Sequence, residues 1–276
     1  MAKKTVRVFL LSRRVALAVG AVLAAAAIFG AVHIPAAVSA TGTARQLPIY
    51  SVERPSEEKK FCAISFDAAW GNEDTQMLLD ILTRYDVKAT FFLVGDWVDK
   101  YPESVKALGD AGMEVMNHSN HHDHFNRLTA DEIVADVTTC NDKVKAITGI
   151  APTLIRCPYG EYDDHVISAI RSMGMEPIQW DVDSLDWKNY GVDSIVSTVL
   201  NHKALGNGSI ILMHNGAKYT KDALPAVIEG LQKKGYEIVP ISKLIYKENY
   251  EINHEGRQVS LGEKEKKADV TPEATE

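Results

Sequence analysis

Several short stretches of the chain carry side chains that can move protons, hold an ion or steady a negative charge. Asp67 closes the apolar run Phe61–Phe66 in the segment ISFDAAWGNEDT. His118 and His122 stand in MNHSNHHDHF, Arg156 in RCPYG, Asp181, Asp183 and Asp186 in WDVDSLDW, and His214 in ILMHNG. An acid at the tip of a buried strand does chemistry or caps a turn, and the alanines after Asp67 offer no second ligand or base. His118 and His122, one helical turn apart, can meet a single metal ion; a histidine-rich surface loop that includes His121 and His124 is the alternative. His214 ends an apolar run, so it is either a general acid working near neutral pH or a satisfied core histidine. Asp183 can hold the His214 ring and raise its pKa. Arg156 can orient Asp67 and keep it ionised, or form a purely structural salt bridge. The Pro158-Tyr159-Gly160 turn can aim the Tyr159 N–H at a developing oxyanion, or be only a turn.

The elements around these residues explain how they meet. Seven apolar runs, FCAISF, ATFFLVG, MEVMNHS, TLIRCP, PIQWDVD, SIILMH and YEIVPI, alternate with amphipathic stretches. The clearest helix is Leu128–Ile147, opened by Thr129 and Glu132 in capping-box spacing and continued by Ile133, Val137, Cys140 and Val144. Strands alternating with helices indicate an α/β domain with a mainly parallel sheet, either doubly wound or closed into a (β/α) barrel. No G-x-G-x-x-G or P-loop follows the first strand, which removes support for nucleotide binding. In both architectures the C-terminal ends of the strands share one face, and the candidate residues all fall there.

Composition sets outer limits. The chain has 276 residues, 46% of them hydrophobic and 24% charged, with a formal net charge of −7. That balance argues against nucleic acid as a partner while leaving room for a local groove that takes cell-wall polymer. Residues 1–40 combine Lys3, Lys4, Arg7, Arg13 and Arg14 with an apolar run from Val15 to about Val32 and the small residues Val38-Ser39-Ala40. They read as a signal peptide or an uncleaved membrane anchor, which places the remainder outside the cytoplasmic membrane. Residues 41–60 read as a linker or short lead-in, 61–246 as the catalytic domain and 247–276 as a disordered charged tail. Cys62, Cys140 and Cys157 are odd in number, without metal-type spacing, so no disulfide framework is expected and Cys62 is assigned to core packing.

Taken in order, ISFDAAWG, NHSNHH, RCPYG, WDVDSLDW and ILMH resemble the five motifs of the polysaccharide deacetylase family with the NodB-homology domain. The likeness runs from Phe61 to Tyr246, and the form FDAAWG with the N-terminal apolar segment is most like the PdaB-like sporulation members. This resemblance implies a distorted (β/α) barrel of about seven parallel strands. It also implies metal-dependent removal of N-acetyl groups from GlcNAc or MurNAc units of peptidoglycan or a related glycan, by a monomer serving spore-wall formation. By the same resemblance Asp67 is the general base, His118 and His122 ligate a divalent ion (Zn, with Co or Mn as alternatives), and Arg156 steers the base. Tyr159 is the oxyanion donor, Asp183 the tuner of the acid, and His214 the acid that protonates the leaving amine. Trp70, Tyr159, Trp187 and Leu212 are the candidates for sugar contact, whereas Trp97 is assigned to the core.

One position departs from the pattern. The family follows the strand-end acid with a second aspartate that binds the ion, and ungapped alignment from Ser65 to Thr75 puts Ala68 there. Loss of a carboxylate removes both a charge and a bond, so ion affinity is expected to fall. Glu73 or Asp74 could substitute, although a helix N-terminus is the commoner place for such acids. Cys157 stands where the arginine motif usually has a proline. Two functions follow: an active deacetylase with a weakened ion site, or an envelope protein that binds glycan with little or no turnover.

Overall fold

The computed structural model describes residues 45–54 and 59–262. The proposed signal or anchor, residues 1–40, and residues 263–276 lie outside the described residues. Among the described residues, eleven strands form one mixed sheet in the order β10-β11-β1-β8-β2-β3-β4-β5-β6, with β7 also on β8 and β9 also on β2. The strands are β1 Ser51–Val52, β2 Lys60–Ala68, β3 Thr90–Leu93, β4 Glu114–Asn117, β5 Leu154–Ile155, β6 Glu176–Pro177, β7 Val182–Asp183, β8 Ser209–His214, β9 Tyr236–Ile238, β10 Tyr250–Ile252 and β11 Arg257–Ser260. From β2 through β6, and between β2, β8, β7 and β9, every pairing is parallel. The sheet curls into the distorted barrel that the motif order implies, with helices packed outside it.

Each apolar run becomes a strand, except that PIQWDVD breaks into β6 and β7, which do not pair with each other. The lead-in chain closes that seam. Ile49 N–H donates to Pro177 O and Gln179 N–H to Ile49 O, while Val52 N–H donates to Gly208 O. Of the two readings of residues 41–60, linker or lead-in, the described part is a lead-in, with Ser51–Val52 a strand built into the barrel wall. The tail assignment is corrected, since residues 250–260 form the β10–β11 hairpin, and β11 pairs with β1.

Strand β2 is central and buried from Cys62 to Ala68, and its side chains alternate between two faces. Cys62, Ile64, Phe66 and Ala68 belong to the cluster beneath the helices, with Phe66 stacked on Phe91 at 4.8 Å between ring centroids. Ala63 belongs to the cluster that fills the barrel, with Phe92, Ile210 and Ile178. Ser65 and Asp67 share its side of the strand. This alternation sends Asp67 into the barrel mouth and turns Ala68 away from it.

Outside the sheet run α1 Thr75–Arg84, α2 Gly95–Lys100, α3 Pro102–Asp110, α4 Ala130–Thr148, α5 Asp164–Ser172, α6 Val192–Leu200, α7 Thr220–Lys233 and the short α8 Ile241–Leu244. The expected capping box opens α4: Glu132 N–H donates to Thr129 Oγ1, and Thr129 N–H donates to Glu132 Oε2 at 2.7 Å. The helix buries Ile133, Val137, Cys140 and Val144 and ends at Gly149, whose φ of 77° is the left-handed conformation that terminates helices.

Candidate active site

The C-terminal ends of β2, β4, β5, β7 and β8 surround a pocket of about 580 Å3. Asp67, His118, His122, Tyr159, Asp183, Leu212 and His214 all line it, together with Trp70 and Trp187. Arg156 lies beneath, fully buried. Its Nη1 donates to Asp67 Oδ1 at 2.7 Å, and its Nη2 donates to Ser65 Oγ at 2.9 Å and to Gln179 O at 3.1 Å. The guanidinium also lies over Phe92, 4.3 Å from the ring centroid, and 5.4 Å from that of Trp180. Ser65 completes the brace by donating to Ile211 O at 2.8 Å. Burial alone works to raise the Asp67 pKa, but the Arg156 charge, with help from His118 and His214, outweighs it and holds the carboxyl below its ordinary range. Asp67 is thus an ionised, fixed and rather weak base.

A second braced pair involves His214. Its Nδ1 is 2.7 Å from Asp186 Oδ1, and its backbone N–H donates to Asp186 Oδ2 at 2.8 Å. Thr220, the first residue of α7, donates its hydroxyl to the same Oδ2 at 2.6 Å. Burial disfavours a charged His214 ring, yet the Asp186 hydrogen bond and charge, followed by Asp67 and Asp183, raise its pKa. The assignment of Asp183 as direct partner of His214 is therefore corrected to Asp186. Asp183 Oδ1 instead accepts from Leu185 N–H at 2.8 Å, which turns the chain at Leu185 (φ 54°) and carries Asp186 back under His214. Asp183 acts on the ring only through its charge, and burial pushes its own pKa up. Trp70 covers the other side of the imidazole, stacked at 5.3 Å with 21° between planes.

The corner with the two candidate ion ligands is built differently. His118 Nδ1 lies 2.7 Å from Arg156 O, which fixes the tautomer by making Nδ1 the donor, and its Nε2 lies 3.6 Å from Asp67 Oδ2. Burial lowers the His118 pKa and brings that of His122 to about 4, the nearby His118 adding to the effect on His122. His122 has a φ of 60°, held by its N–H bond to Ser119 Oγ, and meets His118 edge to face at 4.9 Å. Burial thus favours the neutral form of both imidazoles, the form that ligates, and both line the pocket. Ala68 has no exposed surface and packs on the helical side of β2. Asp74 is occupied elsewhere, its carboxylate accepting from Gly216 N–H at 2.9 and 3.0 Å. Cys157 lies in the apolar cluster of Phe125 and Val166, where burial pushes its thiol up to about 12. Among the described residues, no three or more of His, Cys, Asp and Glu come together so as to hold an ion. The donors present therefore do not fit the resident divalent metal that the resemblance implies.

Around the mouth, Trp70, Tyr159 and Trp187 are 51%, 57% and 46% exposed, as flat surfaces for sugar rings must be. Trp97 is buried, as expected, and its Nε1 donates to Gly71 O at 3.3 Å. His121 pairs with Asp96 and His124 with Glu161, so neither faces Asp67. Ser65, Gln179, Trp180 and Thr220 also serve the site and fall outside the motif-based candidates. Ser65 is within reach of the sequence, because it lies two residues before Asp67 and so on the same face of the strand.

The fold, the site and similarity to known proteins agree on the family. The polysaccharide deacetylase profile matches residues 54–178. The chain is 35% identical over 198 residues to the peptidoglycan-N-acetylmuramic acid deacetylase PdaC of Bacillus subtilis, covering 70% of this chain but 41% of that protein. It therefore spans well under half of that relative's length. Against the chitooligosaccharide deacetylase of Bradyrhizobium sp. (strain ANU 289) it is 31% identical, covering 72% of this chain and 98% of the relative. Among solved structures, a family 4 carbohydrate esterase pseudoenzyme from Bacillus anthracis superposes with a TM-score of 0.67 at 34% identity, over 71% of this chain and 68% of that one. A mutant of that pseudoenzyme, described as having restored enzymatic activity, matches with the same TM-score at 36% identity, over 71% of this chain and 70% of its own. This chain belongs to the polysaccharide deacetylase family.

Proposed function

We propose that the chain takes N-acetylated cell-wall glycan of the peptidoglycan class into this pocket and hydrolyses its N-acetyl groups slowly. The observation that carries the reading is the pair of braced groups on one cavity: Asp67 on Arg156, and His214 on Asp186. Amide hydrolysis needs a base for the attacking water and an acid for the departing nitrogen. Asp67 Oδ2 takes the proton of a water bound beside it, and the water oxygen attacks the acetyl carbon. The Tyr159 N–H steadies the oxyanion, and His214 Nε2 protonates the amine as the C–N bond breaks. Among the described residues only two imidazoles face the pocket as donors for an ion that would activate that water, so turnover by this chain is expected to be low.

Glycan binding with no turnover is the second reading. The buried methyl at position 68 favours it, as does the likeness to a family pseudoenzyme. In both readings the basic-then-apolar N-terminal segment carries a monomeric domain outside the cytoplasmic membrane, with spore-wall formation as its setting. Acetate release from peptidoglycan fragments decides between them, measured with Zn, Co or Mn added and in Asp67→Asn. The enzymatic reading expects slow release that Asp67→Asn abolishes. Saturable glycan binding without any acetate supports the second reading, and release unchanged in Asp67→Asn removes Asp67 as base.

A further inference from the structure

Tyr159 lines the pocket although its side chain is more than half exposed and its φ is 59°, in the left-handed region. A non-glycine residue holds that conformation only where its surroundings fix it. The ring belongs to a row of four aromatic groups. His118 meets His122 at 4.9 Å, His122 meets Tyr159 at 4.5 Å, and Tyr159 stacks on His124 at 4.2 Å with 15° between planes. Both ends of the row are tied to the segment that follows β5. At the inner end Arg156 O accepts from His118 Nδ1 at 2.7 Å, and at the outer end Glu161 Oε2 lies 2.8 Å from His124 Nδ1.

The anchors behind the outer tie are firm. His124 directly precedes the 3-10 turn Phe125–Arg127, whose Phe125 is fully buried. Glu161 closes the turn Pro158–Gly160 through its N–H bond to Pro158 O at 3.1 Å. Gln179 Nε2 holds Gly160 O at 3.1 Å from below. The loops after β4 and β5 are thus joined at two points, with Tyr159 between them.

We propose that His124 and Glu161 form a clip that positions Tyr159, setting its ring as a ready wall for a sugar and its backbone for the bound acetyl group. The inference rests on the reading of the pocket as a glycan site. The clip acts through Tyr159 and touches no reacting atom. An exposed tyrosine left free must be ordered when ligand binds, and prior ordering removes that cost, worth roughly three- to tenfold in affinity.

The test uses the folded protein, a chito-oligosaccharide of GlcNAc units as probe, and the variants His124→Ala, Glu161→Ala and Glu161→Gln. In the free protein, Tyr159 ring resonances in NMR should move in both alanine variants as the stacked ring-current contribution is lost, and hydrogen exchange should rise across residues 157–161. Titration calorimetry should show affinity weakened about three- to tenfold. Glu161→Gln, which still accepts from His124, should restore both. Unchanged Tyr159 resonances and exchange in His124→Ala and Glu161→Ala would overturn the clip. Altered resonances with unchanged affinity would overturn its role in binding. A wild-type protein that binds no oligosaccharide would sink the glycan reading alone, because the free-protein spectra still decide whether the clip exists.

Discussion

The two halves of the pocket are built to different standards. On the proton-transfer side, Asp67 is held by Arg156, which is itself held by Ser65, Gln179 O and two aromatic faces, while Asp186 accepts three hydrogen bonds around His214. On the side of His118 and His122, two imidazoles stand without a third donor, and the buried Ala68 methyl packs on the helical face of β2. The braces of the first half are also fold contacts, tying β2 to the segment after β5 and β8 to the turn after β7. Loss of one of them costs stability as well as function. The side chain at position 68 takes part in none of these braces, so its identity can change while the fold and the pocket stand. That asymmetry lets the ion donors vary while the two braced pairs, Asp67 on Arg156 and His214 on Asp186, are kept.

The largest expected effect comes from breaking the strong half. Asp67→Asn leaves the Arg156 charge buried without its counter-ion, which should cost about 3–5 kcal/mol of stability by denaturant unfolding, besides abolishing acetate release. The pH dependence carries the same signature. The Asp67 pKa is lowered by folding, so its contribution is present above about pH 3.9 and is lost as pH falls through the lower folded value. Acid unfolding of the wild type should show this steep loss, and Asp67→Asn should not.

Next in size is Asp186→Asn. It should cost on the order of 1–3 kcal/mol, because His214 and Thr220 lose a charged acceptor. It should also lower the His214 pKa, as read by NMR titration of the ring. Folding raises that pKa, so the stabilisation by His214 is fully present below about pH 6.5 and fades as pH rises through the raised value. The variant should lose this alkaline slope. Asp183→Asn should move the His214 pKa less, since Asp183 acts without a hydrogen bond; an equal shift would restore Asp183 as the tuner.

Much of this was legible from residue order alone. Apolar runs ending in Asp67, His118, Arg156 and His214 mark strand tips, and parallel strands put their tips on one face. The choice between Asp183 and Asp186 was not legible, because it depends on a left-handed Leu185 that no composition signals. The closing of the seam by Ile49–Val52 was equally hidden, as was the β10–β11 hairpin. Both are short, and each is fixed by a distant strand: the lead-in by β8 and Pro177, and β11 of the hairpin by β1. Ala68 was visible as a departure, but its placement on the helical face of β2 needed the register of the sheet.

The smallest effect falls on the rim. Trp187→Ala should weaken oligosaccharide binding by about 0.5–1.5 kcal/mol in calorimetry while leaving unfolding nearly unchanged. An equal loss of stability would mean that Trp187 belongs to the core.

The difference between the halves is tested most directly by ion binding in Ala68→Asp beside the wild type, since Ala68 is the last residue of β2 and a longer side chain there can turn past the strand end toward His118 and His122. Calorimetric titration with Zn2+ or Co2+ at fixed pH should show at least about tenfold tighter binding in the variant. Acetate release should become ion-dependent, despite a stability cost of about 1–3 kcal/mol from placing a carboxylate where a buried methyl was. Tight binding of one ion by the wild type, unimproved in Ala68→Asp, would contradict the account.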